Sequence, residues 1–368
     1  MNRIVLFTAN KEGGIIQLAM ELLRDLSDLN NSVLCFVPST ANYSISEKYK
    51  NKVVTYDLPT SKIIKKVSEF VPNNKFVRTL IQSVCSTNPN LFWTLDDLPL
   101  TCQVGIGVQK RINTWMTVHD PLFHLSNSKT TKQRIYILGW KRLRKKYANT
   151  NVKILLLSQQ SMDTYRMLHG EQNRKYIKLE LGAHIPDVEG IMPKEMVGNE
   201  TDYLLFFGRI EKYKGIDTLV RTFCNTRRGI LCIAGKGDIQ ESVKIEIEKH
   251  KNIVLINRFI NDNEMIWLFE NASALVLPYI EASQSGIIPI AYYYGKPVVV
   301  SNVDGLKQYV VDSETGFVCK TDEEYNKAYN YVLDENLKEN FRHSCIEYYR
   351  NRLDWKANLS KIIGQKEE

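Results

Sequence analysis

Short apolar runs alternate with longer segments of helical periodicity along the chain. In the first half, the apolar runs predict strands at RIVLFTA (3–9), SVLCFVP (32–38), KVVTYDL (52–58), NLFWTL (90–95), NTWMTVHD (113–120) and VKILLLS (152–158). Between the first two runs, apolar residues recur with helical spacing behind Gly13 and Gly14, at Ile16, Leu18, Ala19, Leu22, Leu23 and Leu26. This alternation is typical of βα units around a parallel sheet.

The second half of the chain restarts the same alternation. Its predicted strands are YLLFFG (203–208), GILCIAG (229–235), NIVLINRFI (252–260), ALVLP (274–278), PVVVS (297–301) and GFVC (316–319). The segment 182–202 is rich in turn formers and is the predicted linker. Because 368 residues exceed the size at which one core stops growing, we expect two doubly wound α/β domains.

The composition is that of a folded globular protein, with 43% hydrophobic and 24% charged residues. No window approaches the roughly 20 apolar residues of a membrane-spanning helix, and the N-terminus is unlike a signal peptide, so we expect a cytoplasmic location. Seven scattered cysteines without a CxxC pair are expected to be reduced thiols rather than disulfides or zinc ligands: Cys35, Cys85, Cys102, Cys224, Cys232, Cys319 and Cys345.

The net charge of +8 is concentrated in one segment. Between Pro121 and Thr150 there is no acidic residue, and there are eight basic ones: Lys129, Lys132, Arg134, Lys141, Arg142, Arg144, Lys145 and Lys146. Their mixture with apolar residues suits a helix at an anionic membrane surface (129–146), peripheral at the inner face of the cell membrane. An ordinary solvated helix packed on the domain is an equally open interpretation. A nucleic-acid partner is not expected, because no stacking aromatic set or binding module is evident.

Four segments of the second half place glycines and cations directly after predicted strands: FFGRIEKYKG, CIAGKGD, NRFI and LPYIEASQSG. Ligands of open parallel sheets bind beyond the carboxyl ends of the strands. Glycines allow close backbone approach, and Arg209, Lys214 and Lys236 supply positive charge, which together suit a nucleotide diphosphate. An arbitrary Arg–Lys pair on such a loop would more often be a surface pair, but the ordered set of four segments favours the anion site.

The segments FFGRIEKYKGIDTLV, IAGKGD and LVLPYIEASQSGIIPIAYYYGKPVVVSNVDGLKQYVVDSETGFV resemble the C-terminal domain of retaining glycosyltransferases of family 4, of the bacterial cell-surface polysaccharide type. The resemblance covers Tyr203–Val318, and it is looser in the first domain, through KEGGIIQLA, TVHDPLFH and LSQQSMDTY. It implies a GT-B fold of two Rossmann-like domains facing across a cleft. The implied domains are an acceptor-side domain at 1–185, a nucleotide-sugar-binding domain at 186–345, and a C-terminal helix within 346–368 that returns to the first domain.

The resemblance also implies roles for individual residues. Arg209 and Lys214 would grip the donor diphosphate beside Gly208, and His119 would face the donor sugar. The main chain at Ile260 would meet the base, and Gly13 with Gly14 would form a loop near the phosphates and the acceptor.

The chain departs from the family at its Glu-x7-Glu signature. Eight residues after Glu281 stands Pro289, and Ile290 occupies the place of the usual second glutamate. We expect Glu281 to keep a sugar-facing role, while Ser285 and the backbone at Gly286 serve the nucleotide.

The expected reaction moves a sugar, with retention, from a nucleotide-diphosphate sugar to a glycan or lipid-linked saccharide in surface polysaccharide synthesis, without a metal cofactor. A metal site at His119, Asp120 and His124 is disfavoured because only three ligands are visible. An inactive GT-B subunit that supports a partner transferase remains an alternative, since the second glutamate is absent. A phosphorylase or epimerase of similar shape fits the GRxxxxKG order less well.

Overall fold

The computed structural model describes residues 2–121, 130–170, 176–180, 182–183, 185–186, 188–200, 202–226, 229–282 and 284–364. Its contacts divide the chain into two compact units. The first contains Met1–Glu180 and Leu359–Glu368, and the second contains Leu181–Asn358.

The first unit is built on a seven-stranded parallel sheet. Its strands are β1 (Arg3–Phe7), β2 (Ser32–Pro38), β3 (Val53–Tyr56), β4 (Leu91–Thr94), β5 (Asn113–Val118), β6 (Lys153–Leu156) and β7 (Tyr176–Lys178). They lie in the order β3-β2-β1-β4-β5-β6-β7, so the chain changes direction across the sheet between β1 and β4. Strands that are covered on both faces read as continuous apolar runs, which is why the sequence identified them.

Seven complete helices lie within the described part of this unit, which also includes Leu359–Gly364 from the last helix of the chain. They are α1 (Gly14–Asp28), α2 (Glu47–Lys50), α3 (Lys62–Phe70), α4 (Lys75–Ser86), α5 (Pro99–Val108), α6 (Thr131–Ala148) and α7 (Gln159–His169). The six apolar positions predicted for the first helix are all buried in α1. The basic segment forms α6, which begins with a reciprocal capping box between Thr130 and Gln133.

The second unit repeats the design with six parallel strands. They are β8 (Tyr203–Phe207), β9 (Ile230–Ala234), β10 (Ile253–Ile256), β11 (Ala272–Leu277), β12 (Val298–Ser301) and β13 (Gly316–Cys319). Their order is β10-β9-β8-β11-β12-β13, with the reversal between β8 and β11. The sheet lies in one continuous core that includes fully buried Phe206, Leu275 and Val299.

The helices of the second half complete the α/β layers. They are α8 (Ile216–Cys224), α9 (Glu241–Lys249), α10 (Asp262–Asn271), α11 (Ile288–Tyr293), α12 (Asp304–Lys307), α13 (Asp322–Val332) and α14 (Glu335–Tyr348). A π-helical turn at Tyr349–Leu353 leads into the final helix, α15 (Trp355–Gly364). No helix within the described ranges has both the length and the apolar character needed to cross a bilayer.

All twelve predicted strands form, and the doubly wound α/β class is confirmed for both units. The prediction missed β7, whose three residues are too short to make an apolar run. The predicted run 252–260 extends past β10 because Asn257–Ile260 form the loop that leads to α10. The seven cysteines carry free thiols, and five of them are buried.

The predicted linker 182–202 is not a free connection in its described residues. Met196 is fully buried in the core of the second unit. The backbone N–H of Ile191 donates to the carbonyl of Asn263 at 3.0 Å, and Glu195 forms an ion pair with Arg258 at 2.9 Å. The segment therefore packs as part of the second unit, which the turn-rich sequence alone did not reveal.

Candidate active site

The carboxyl ends of β8 and β11 define the candidate site of the second unit. The two strands are neighbours at the point where the strand order reverses, which is where open α/β sheets bind ligands. The loop from Gly208 to Gly215 follows β8, and the segment from Pro278 to Gly286 follows β11. These loops contain most of the residues that the sequence singled out.

Two glycines shape the loop after β8. Gly208 has φ +122°, and a side-chain Cβ there would lie 2.9 Å from Lys214 Nζ. Gly215 has φ +67°, and a Cβ there would lie 2.1 Å from the carbonyl oxygen of Pro278. Between them, Lys212–Lys214 form a 3₁₀ turn, and the carbonyl of Tyr213 accepts a hydrogen bond of 2.7 Å from Ile280 N–H. Only glycine combines these conformations with so close an approach, so the loop holds Lys214 in place.

Lys214 is a buried cation, with 8% of its surface exposed. Its Nζ lies 5.0 Å from the centre of the Tyr279 ring, and the nearby Glu211 carboxylate pairs with Arg209 instead, at 3.1 Å. Burial and, to a smaller extent, the positive charge of Arg209 lower the pKa of Lys214 to about 8, and the charge of Glu211 opposes both effects. A cation that is desolvated without an ion-pair partner among the described residues is prepared to receive an anion.

Arg209 differs from Lys214 in its surroundings. Its side chain is 79% exposed, and it forms its ion pair with Glu211 on the same loop. An exposed pair of this kind adds little stability, so Arg209 is available to a ligand at small energetic cost. Of the predicted basic pair, Lys214 is thus buried and Arg209 is an exposed side chain of the same loop.

The loop after β9 packs directly on the loop after β8. The N–H groups of Gly208 and Ile210 donate to the carbonyls of Ala234 and Lys236, each at 3.0 Å. A Cβ at Gly235 would lie 1.9 Å from the carbonyl oxygen of Gly208. Asn257, which the sequence analysis missed, forms two 3.1 Å hydrogen bonds with the backbone of Gly237. The glycines of AGKGD therefore serve loop packing beside the candidate site.

Ile260 lies in the loop after β10, the edge strand, and is buried. The loop is held by Arg258, whose guanidinium donates to both Glu195 and Glu264. Phe259, directly before Ile260, is largely exposed. The predicted base-binding position thus lies beyond the carboxyl ends of the strands, as Lys214 does. It follows β10, which is two strands away from β8.

The residues of the variant EASQSG segment differ in how far they are exposed to solvent. Glu281 and Gly286 are exposed, whereas Ser285 is buried. The Gln284 Oε1 atom and the Tyr279 hydroxyl are buried, and neither has a hydrogen-bond partner among the described residues. Buried polar atoms without partners are uncommon in folded proteins, so these two call for a ligand or a water.

The position of the missing second glutamate is part of the core. Ile290 belongs to α11 and is buried within the apolar cluster of the second unit. An ionised carboxylate at such a position would lose its hydration without an evident partner. The departure from the family signature is therefore consistent with the packing of α11.

In the first unit, the carboxyl ends of β1 and β4 are joined by buried Asp96. Its Oδ2 accepts hydrogen bonds from Thr8 Oγ1 at 2.5 Å, Ala9 N at 3.0 Å and Asn10 Nδ2 at 3.0 Å. This network fixes the start of the loop that carries Gly13, with φ +80°, and Gly14. Both glycines are exposed, and a Cβ on either would meet nothing within 4 Å.

His119 follows β5 and is half-buried. Its Nε2 lies 2.8 Å from the carbonyl oxygen of Leu95, so Nε2 carries the proton and Nδ1 is the free acceptor. Burial lowers the pKa of His119, while the Leu95 hydrogen bond and the Asp96 charge act against that change. The imidazole is neutral at pH 7 and presents a hydrogen-bond acceptor.

Arg144 differs from the exposed cations of the basic segment. Its side chain is buried and donates to Asp97 Oδ2 at 3.0 Å, to the Asp120 carbonyl at 2.9 Å and to the Pro121 carbonyl at 2.6 Å. Burial raises the pKa of Asp97 to about 6, although Arg144 opposes the change. Arg144 is therefore an internal link that holds the backbone directly after His119.

Of the other seven basic residues, Lys129 lies outside the described residues, Lys141 is half-buried and the remaining five are exposed.

Of the disfavoured metal ligands, His119 and Asp120 follow β5, and His124 lies outside the described residues. Elsewhere, Cys224, Glu246 and His250 bring ligand atoms within 4.8 Å of one another. They lie near the C-terminal ends of α8 and α9, at the amino ends of the strands, whereas Lys214 lies beyond the carboxyl end of β8. Nδ1 of His250 is 2.9 Å from the Glu246 carbonyl oxygen, so that nitrogen donates to its own helix and would have to lose its proton to bind a metal.

Comparisons with known proteins agree with this geometry. Residues 187–352 match the family model of the glycosyl transferases group 1. The chain is 32% identical over 124 residues to the glycogen synthase of Mycobacterium tuberculosis, covering 32% of this chain and 30% of that protein. It is 26% identical over 181 residues to the capsular polysaccharide biosynthesis glycosyltransferase CapM of Staphylococcus aureus, covering 46% of each. These alignments span about a third to a half of the relatives' length.

Two solved structures share the fold over nearly the whole chain. Sucrose-phosphate synthase from Thermosynechococcus elongatus superposes with a TM-score of 0.72 at 18% identity, covering 99% of this chain and 98% of that chain. Anabaena HepE in complex with UDP superposes with a TM-score of 0.71 at 14% identity, covering 99% of both chains. Residues 187–352 therefore match the glycosyl transferases group 1, within a chain that has a GT-B-like fold of two Rossmann-like α/β domains.

Proposed function

We propose that this protein is a retaining glycosyltransferase that moves a sugar, of the hexose class, from a nucleotide-diphosphate donor to a saccharide hydroxyl. The observation that carries the proposal is Lys214, a buried cation without an ion-pair partner in the described structure, beside Arg209 at the reversal of the strand order. The family match over residues 187–352 and the UDP bound to Anabaena HepE support a nucleotide-sugar donor.

The proposed reaction requires the protein to stabilise a leaving group. The bond between the anomeric carbon and the diphosphate oxygen breaks, and its electron pair goes to that oxygen. The acceptor hydroxyl bonds to the same face of the carbon, and its proton passes to the departing phosphate oxygen. Fixed positive charge that meets the developing negative charge lowers the barrier, which is the role of Lys214 and Arg209. No protein nucleophile and no metal cofactor take part in this scheme.

The remaining site residues orient the donor. Nδ1 of neutral His119 accepts a hydrogen bond from a sugar hydroxyl, and Glu281 accepts another. Ser285, the backbone at Gly286 and the main chain at Ile260 bind the nucleotide, and the buried Gln284 Oε1 gains the donor that it lacks within the described structure. Since Ile290 replaces the usual glutamate, ribose recognition depends on these groups instead.

The acceptor in this proposal is a glycan or a lipid-linked saccharide of surface polysaccharide synthesis. The match to the capsular transferase CapM supports this class. The loop of Gly13 and Gly14 contacts the acceptor side of the reaction. The exposed cations of α6 hold the protein at the anionic inner face of the membrane, where such acceptors reside.

A second candidate function is an inactive GT-B subunit that supports a partner transferase. Ile290 in the core of α11 favours it, because the carboxylate that the family usually places there is missing. An inactive subunit would bind no nucleotide sugar, or would bind one without turnover.

A thermal-shift screen across UDP-, GDP- and ADP-sugars tests the proposal. A donor at 100 times its dissociation constant should raise the free energy of unfolding by about 2.7 kcal/mol. Stabilisation by one base series, followed by sugar transfer or slow donor hydrolysis, would support the enzyme. Stabilisation without any turnover would favour the inactive subunit, and no response to any donor would contradict both the donor site and the reaction.

A further inference from the structure

Helix α3 exposes an apolar stripe to solvent. Ile63 is 75% exposed, Ile64 is 54% exposed, and Val67 is also exposed. At 3.6 residues per turn these three side chains fall within an arc of about 100°. The buried positions of the helix are the polar residues Ser68 and Glu69. An amphipathic helix of a globular protein normally turns its apolar stripe toward the core, so α3 has the reverse orientation.

The same helix also exposes cations. Lys62, Lys65 and Lys66 are all exposed. Glu69 is the one acidic residue in the sequence 61–71, and it is buried, with its pKa raised by burial. Long lysine side chains can lie along an apolar surface and still keep their charge in water.

Helix α3 is joined to α6 by specific contacts. The Phe70 ring packs edge-on against Tyr136, with ring centres 5.1 Å apart, and the Tyr136 hydroxyl bonds with Glu69. A Cβ at Gly139 would lie 2.8 Å from the Phe70 ring, so glycine at this position lets the helices approach.

Helix α6 adds residues of the same two kinds. Ile135 and Leu138 are exposed large aliphatic side chains. The sequence 130–148 contains no acidic residue, and its exposed cations are Lys132, Arg134, Arg142, Lys145 and Lys146. The two helices together therefore expose aliphatic side chains among eight exposed cations.

We propose that α3 and the exposed side of α6 form one docking surface for an anionic lipid bilayer. Ile63, Ile64 and Val67 enter the boundary between headgroups and acyl chains, and the surrounding cations contact the headgroups. A bilayer supplies both an apolar layer and negative charge, whereas a second copy of this chain would bring like charges together. The inference rests on the proposed function, because the surface would serve to bring the enzyme to a lipid-linked acceptor.

Vesicle flotation without donor or acceptor tests the surface. The wild-type protein should bind vesicles of phosphatidylcholine and phosphatidylglycerol (about 7:3) at least tenfold more strongly than pure phosphatidylcholine, and binding should weaken as salt rises. The triple variant Ile63→Ser, Ile64→Ser, Val67→Ser should lose at least tenfold in partition coefficient. The triple variant Lys62→Gln, Lys65→Gln, Lys66→Gln should lose a similar factor.

Matched controls come from α9 in the second unit. Ile245→Ser removes an exposed aliphatic side chain, and Lys244→Gln with Lys249→Gln removes exposed cations. Both controls should bind vesicles like the wild type. Circular dichroism melts of all variants establish that the α3 substitutions, made at exposed positions, leave the fold intact.

Three results would overturn the inference. The α3 variants could bind anionic vesicles as well as the wild type, or the wild type could bind neutral and anionic vesicles equally. Sedimentation could instead show a dimer that the serine variant loses, without vesicle binding, which would assign the surface to a second copy. A protein that binds vesicles but no nucleotide sugar would support this surface and contradict the proposed sugar transfer. A protein that binds a nucleotide sugar but no vesicles would contradict the surface and leave the proposed sugar transfer in place.

Discussion

Replacing Lys214 with methionine should stabilise the fold while it weakens donor binding. The pKa of this lysine falls from its ordinary value of 10.5 to about 8 because the side chain is buried. At pH 7 both the folded and the unfolded chain carry the proton, and a pKa difference of one unit corresponds to about 1.4 kcal/mol. Holding this cation in the folded state therefore costs about 3 kcal/mol.

Methionine has a similar length and no charge, so it removes that cost. It also removes the contact between Nζ and the Tyr279 ring, which contributes about 1 kcal/mol. The expected net gain in the free energy of unfolding at pH 7 is about 2 kcal/mol. Lys212→Met, two residues earlier on the same 3₁₀ turn but exposed, is the matched control and should change stability by less than about 0.5 kcal/mol.

The pH dependence gives a second signature of the same group. Because the folded pKa lies below the unfolded one, the unfolded chain binds more protons between pH 8 and pH 10.5. The wild type should therefore gain stability from this lysine's titration as pH rises through that window, and the advantage of Lys214→Met should shrink.

Urea unfolding of wild type, Lys214→Met and Lys212→Met at pH 7 and pH 10 measures these differences. A Lys214→Met protein that is less stable than wild type at pH 7 would refute the reasoning, because it would mean that the lysine has a stabilising partner in the folded chain. A difference that does not change with pH would refute the lowered pKa.

Further predictions concern neighbouring features. Donor affinity should fall about tenfold from pH 7 to pH 9 as Lys214 loses its proton, and an affinity that is flat over this range would contradict its role. Arg144→Lys loses hydrogen bonds to the Asp120 and Pro121 carbonyls and should therefore lower turnover at least tenfold. Nucleotide-diphosphate binding, measured by calorimetry, should stay unchanged. Normal turnover would show that Arg144 does not position His119. Gly235→Ala should destabilise the protein by more than about 2 kcal/mol in urea melts, because its Cβ would meet the Gly208 carbonyl, whereas Gly286→Ala, in open space, should change stability little.

The sheets were predictable because parallel strands are buried on both faces. Runs such as YLLFF and ILCIA are therefore apolar throughout, and glycines and cations at their carboxyl ends are visible in the sequence. The candidate loop after β8 is therefore evident in the sequence alone.

The states of individual side chains were not predictable in this way. Arg144 stands within a run of cations, and its partner Asp97 is 47 positions earlier in the chain, so its burial depends on tertiary packing. Asn257 and its contacts with Gly237 likewise depend on neighbouring strands coming together. The unusual chemistry of Lys214 arises from burial under Tyr279, which the order of residues does not show.

Calorimetric titration of a nucleoside diphosphate into wild type, Arg209→Ala, Lys214→Ala and Lys212→Ala tests the central claim most directly. Each lost charged hydrogen bond should weaken binding by about 1.5–3 kcal/mol, which is a factor of about 10 to 150 in the dissociation constant. The account predicts such losses for Arg209→Ala and Lys214→Ala, and nearly wild-type binding for Lys212→Ala. Wild-type affinity in both site variants, with the fold intact, would contradict the assignment of the diphosphate to the loop after β8.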